Sequence, residues 1–195
     1  MLLQEILDEI AEKYPHGLPN ASVIRKLNTL QGELFRRYVR VNTMVAYDIL
    51  GGVFAYPMPA KLSNIIDVVV GDKEYVYYGV KGQADCPFYY VTESDELGIY
   101  PTPEEDAPGA MIISYYKEPK PLLESALKVA PDLDDDYHML LVYGALAQIC
   151  EGFNDADMVN NYTAKFNDLL TDFKRVIHET PDYPFIENVM GGYLL

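Results

Sequence analysis

The chain has 195 residues, enough for one sizeable hydrophobic core or a core with an attached lobe. Hydrophobic residues make up 49% and charged residues 23%, the balance of a folded soluble protein, and no apolar run reaches the roughly 18 residues of a membrane span. The 30 acidic residues against 15 basic ones leave a formal charge of −15, which opposes sequence-neutral binding to nucleic acid and docking on anionic lipid, and suits a basic partner or a surface that must not stick to DNA.

Leu3, Ile6, Leu7 and Ile10 recur at helical spacing among acidic residues and predict a first helix, stopped by Pro15 and Gly17. Met1 to Glu5 lack the basic region and apolar run of a signal peptide. Asn20 is placed to cap a second helix with the stripe Val23, Leu27, Leu30 and Leu34. Arg36, Arg37 and Arg40 gather at its end, where cations complement the helix dipole, and form the basic cluster of an acidic chain.

From Val41 the pattern turns to β-formers punctuated by proline and glycine. Strands are expected at Val41–Ile49, Ile65–Val70, Glu74–Tyr78, Phe88–Val91, Leu97–Tyr100 and Ala110–Tyr116, with a short extended piece at Phe54–Pro59. Gly71-Asp72 reads as the turn of a hairpin joining the strands on either side of it. Pro119, Pro121 and Pro131 mark a linker. Asp134, Asp135 and Asp136 then open a third helix, apolar through Cys150 and ended by Gly152 and Asn154. Asp155 caps a last helix with the face Val159, Tyr162, Phe166, Leu169, Phe173 and Val176.

These elements predict an α+β protein: a mostly helical four-helix bundle with an inserted, mostly antiparallel β lobe and an extended C-terminal arm. The expected layout is one domain over 1–195. Residues 2–38 and 134–178 give the bundle, 41–117 the lobe, 118–133 the linker and 179–195 the arm.

Reactive groups are sparse in motif terms. Cys86 and Cys150 make no metal-type spacing, and Cys150 reads as a buried free thiol. Asp132 and Asp134–Asp136 lack the glycine and distal glutamate of a calcium loop, so helix capping accounts for them. Glu104, Glu105 and Asp106 read as a solvated loop, although carboxylate pairs keep a hydrolase or carbohydrate-binding module in view as the alternative. His138 lacks a partner nucleophile, and no serine sits in a nucleophile elbow. No cofactor, catalytic residue or metal ligand is expected.

The 17 tyrosines say more. Tyr75, Tyr77, Tyr78, Tyr89 and Tyr90 concentrate in the lobe, and a small lobe cannot bury both faces of its strands, so they are candidate interface aromatics. The tail carries Tyr183, Phe185, Ile186, Val189, Met190, Tyr193, Leu194 and Leu195 after a proline stop, and is the candidate partner-binding arm.

Leu97-Gly-Ile-Tyr-Pro-Thr-Pro103, the apolar helix after Asp136-Tyr137-His138 and the long helix from Asp155 together resemble tailed-phage adaptor proteins, the head–tail connector or head-completion family. The resemblance covers most of the chain. It implies a structural virion protein of the neck rather than an enzyme. Such proteins form a ring, usually of twelve copies, between the capsid portal and the tail or nozzle proteins. DNA passes through the ring without specific binding. Another tail or virion component is the neighbouring reading, and no membrane role is implied.

Overall fold

The computed structural model describes residues 1–79 and 86–179, and the backbone of 185–187. Two compact units form. One is helical and takes residues 1–40 and the chain from Glu118 onward through its last helix; the other takes 41–117 and the strand at 185–187.

The helical unit has α1 (Leu3–Lys13), α2 (Asn20–Arg37), α3 (His138–Gly152) and α4 (Ala156–Glu179). From His138 to Cys150, α3 carries no Asp, Glu, Lys or Arg, and its buried positions run around the whole helix rather than along one stripe. A helix of that kind must be enclosed. It packs against α1, α2 and α4, whereas those three form no comparable helix pair among themselves. Gly144 permits the close approach: a Cβ there would lie 3.0 Å from Leu30 and 3.2 Å from Phe166. α1 buries Leu3, Ile6, Leu7 and Ile10, the expected stripe. α4 buries Tyr162 and Phe173, and its stripe ends through Ile177 because Val176 is exposed.

Local caps differ in two places. Asn20 is the first helical residue of α2, and Pro19 occupies the cap position without a side-chain bond. Asp134 does cap, through the amide of Asp136, but it closes a 3-10 turn over Asp135–Tyr137 that precedes α3. Asp155 accepts from the Met158 amide at the start of α4, as expected.

The stretch 118–133 is held against α2. The Asn28 amide donates to the Leu122 carbonyl (2.9 Å) and accepts from the Leu122 amide (2.7 Å), imitating a strand partner. Gln31 donates to the Lys120 carbonyl, and the Asp132 carboxylate accepts from the Lys120 amide.

The β unit is a two-sheet sandwich. Its strands are β1 (Asn42–Ile49), β2 (Ala55–Tyr56), β3 (Ile65–Val70), β4 (Lys73–Glu74), β5 (Val76–Tyr77), β6 (Phe88–Val91), β7 (Leu97–Tyr100), β8 (Ala107–Tyr116) and β9 (Phe185–Glu187). One sheet has the order β4-β3-β8-β1, extended by β9; the other has the order β2-β7-β6-β5. Val45, Val68, Met111 and Ile113 from the first pack with Tyr89, Leu97 and Ile99 from the second in one core. The long β1–β8 ladder sets Asn42 opposite Tyr116, and the Lys117 amide bonds the Val41 carbonyl at 2.9 Å.

The expected four-helix bundle with an inserted lobe and an extended arm is therefore not what forms. The helices surround a central α3 instead of sharing one four-sided core. The β residues make two sheets, each of four strands before β9 is added, and two pairings are parallel, β5–β6 and β1–β9. The Gly71-Asp72 turn joins β3 to only two residues of β4. Tyr75 then enters the sandwich core, and β5 pairs in the other sheet. Residues 185–187 of the expected arm are strand β9, paired with Thr43–Val45.

Leu141 is fully buried on α3 and Phe166 is only half-buried on α4. Leu141→Ala should lower the unfolding free energy by roughly 2–5 kcal/mol in urea denaturation, and Phe166→Ala by less.

Candidate interaction surfaces

Pleating puts alternate residues of the smaller sheet on opposite sides. Tyr89, Leu97 and Ile99 face the sandwich core. Val76, Phe88 and Tyr100 share a register row on the other face. Phe88 is fully buried there beneath its neighbours: its ring stacks with Tyr100 at 5.0 Å between centroids and meets Tyr78 at 5.5 Å and Tyr90 at 6.1 Å. The Tyr90 ring lies on Gly98, where a Cβ would come within 2.4 Å of it. Above this base Val76 (53%), Tyr78 (42%) and Tyr100 (45%) remain exposed, an aromatic platform with hydroxyls at its surface.

The expected interface tyrosines thus separate by burial. Tyr77 and Tyr78 are exposed, while Tyr75, Tyr89 and Tyr90 are buried. Burial pushes the Tyr89 phenol above its ordinary range, with Asp67 and Tyr77 adding to it, and burial does the same at Tyr75. Tyr100 belongs to the platform and was not among the expected residues; its signal was its position one residue before the first proline stop, at the free end of a strand. A second exposed apolar group, Leu50, Val53 and Phe54, follows β1 at the Gly51-Gly52 turn. A Cβ on Gly51 would meet the Glu104 carbonyl at 2.7 Å, and the Gly51 amide donates to Asp106.

Three of the carboxylates considered for chemistry are engaged with backbone, and Asp135 instead lies 3.3 Å from the Met1 ammonium. Asp106, Asp132 and Asp134 each accept from a main-chain amide. His138 is fully buried. Its Nε2–H donates to the Leu133 carbonyl (2.8 Å), and its Nδ1 accepts from the Met1 ammonium (2.7 Å). Among the described residues no group of three or more His, Cys, Asp or Glu could hold a metal ion. Cys150 is buried, and burial raises its thiol out of the reactive range.

A family model described as SU10 adaptor protein matches residues 1–184. The chain belongs to that family. It is a family of phage head–tail adaptors, a structural class and not an enzyme class, and its members are virion components that interact with other virion components. No curated protein matches the chain. No helix described here is long and apolar enough to cross a membrane.

For an SU10 adaptor, surfaces matter more than clefts. The exposed platform and the tail are the places to look. Of the tail residues singled out, Phe185 and Ile186 lie in β9, while Tyr183, Val189, Met190, Tyr193, Leu194 and Leu195 fall outside the described residues.

Two variants check this geometry. Gly98→Ala forces its methyl into the Tyr90 ring and should cost about 1–3 kcal/mol in thermal or urea unfolding. The folded state holds the Tyr89 and Tyr75 protons more tightly than the unfolded chain. Stability should therefore stay level below the ordinary tyrosine range near 10, then fall as pH rises through the raised values. Tyr89→Phe should flatten that alkaline fall in melting temperature.

Proposed function

We propose that the protein is a subunit of the connector ring between capsid portal and tail, a neck component that extends the DNA channel and presents the tail attachment surface. The match of the SU10 adaptor family over residues 1–184 carries this reading. The ring is expected to hold twelve copies, with the portal on one side and tail or nozzle proteins on the other. A charge of −15 supports passage of DNA without capture, because like charge denies the duplex the counterion release that drives binding.

The exposed Tyr77 and Tyr78 supply interface area, and rigid amphipathic rings do so at low entropic cost. The C-terminal segment from Tyr183 to Leu195 is the partner-binding arm in this reading. Its described part, β9, pairs with β1 at the edge of the larger sheet.

Electron microscopy of the native particle should place the chain as a ring below the portal; its absence from the neck would overturn the proposal. Deleting residues 182–195 should leave the helical unit folded, by circular dichroism, and abolish portal binding. Unchanged binding would sink the arm assignment and leave the ring standing.

A further inference from the structure

The arginines of this chain are segregated. All five, Arg25, Arg36, Arg37, Arg40 and Arg175, lie outside residues 41–117, a segment that holds eleven carboxylates and four lysines. Three of them sit at or just beyond the C-terminal turn of α2. Lys174 of α4 joins that end, with its Nζ 4.7 Å above the Tyr38 ring. Arg36 and Arg37 are exposed, and among the described residues neither forms an ion pair. Two unpaired guanidinium groups in a chain with twice as many acids as bases are an unspent recognition element.

The platform of the smaller sheet has the opposite character. Val76, Tyr78 and Tyr100 offer apolar area and ring faces. Along the chain, exposed Glu104 and Glu105 follow Tyr100, while Asp72, Lys73 and Glu74 before Val76 lie in the turn and edge strand of the larger sheet. Guanidinium groups stack on tyrosine faces and pair with carboxylates, and Tyr and Arg are the residues most enriched at the energetic centres of interfaces.

We propose that the α2 end bearing Arg36 and Arg37 docks on the Val76–Tyr78–Tyr100 platform of a second copy of this chain. The contact rests on the ring reading above and names the surfaces that would build it. The two patches differ, so the contact is head-to-tail, the kind that closes into a ring when its rotation permits. Being electrostatic at its rim, it weakens with added salt.

The test uses full-length chains at low ionic strength, in sedimentation velocity. Wild type should associate beyond pairs, and salt should reverse this. Arg36→Glu/Arg37→Glu retains the platform, and Tyr78→Lys/Tyr100→Lys retains the arginines. Each variant alone should stay monomeric. Mixed, they have one intact pair of surfaces between them, so they should form a one-to-one complex and stop there. That complex also shows that both variants are folded. A wild type that stays monomeric, an arginine variant that associates like wild type, or a mixture that forms no pair would each overturn the contact. Particles carrying the arginine variant separate the two ideas: an intact neck ring keeps the ring reading and sinks this contact, whereas absence of the wild-type chain from the neck sinks the ring reading itself.

Discussion

The structure depends on enclosing one helix. α3 runs thirteen residues, from His138 to Cys150, without an acid, a lysine or an arginine, and water is an unfavourable neighbour on any of its sides. Each partner is shaped by that demand. α1 brings a single stripe, α2 a second, and α4 a third that ends at Phe173 and Ile177. Gly144 lets Leu30 and Phe166 close in from two sides. Buried polarity is kept small: His138, the first residue of α3, uses both ring nitrogens in hydrogen bonds, and Gln31 donates to the Lys120 carbonyl while its own side-chain oxygen has no partner among the described residues.

The β unit solves a different problem, that of short strands with too little area to stand alone. Two sheets share one core, and the outer face of the smaller one is sealed with rings instead of a third layer. Phe88 disappears beneath Tyr78, Tyr90 and Tyr100, and Tyr90 fills the space that Gly98 leaves empty. Tyr78 and Tyr100 do this sealing while remaining exposed themselves.

Local elements were legible in the sequence where turn residues bounded them. Ile65–Val70, Phe88–Val91 and Leu97–Tyr100 form strands at their expected limits, because β-branched and aromatic runs there end at glycine, proline or acidic turns. Pairing was not legible. Nothing around Tyr75 announces that the chain leaves its neighbour β3 once the Tyr75 amide has bonded the Val68 carbonyl, since the reason is a place in a core built by residues distant in sequence. The parallel union of β9 with β1 joins segments more than a hundred residues apart, beyond any local pattern. A helix stripe likewise shows that a face is covered and not by what, which is why four helices read as a bundle when three amphipathic ones gather round an apolar fourth. The exposed tyrosines could be named by their lobe; which of them face outward depended on register.

The pairing of Asn42 with Tyr116, continued by the bond between Val41 and Lys117, closes the base of the β1–β8 segment. Its two ends emerge side by side, as the two ends of a hairpin do. Loops between β1 and β8 can change length while that pairing holds, provided the edge of β1 that receives β9 is kept. A change of loop length there leaves untouched the helices that enclose α3.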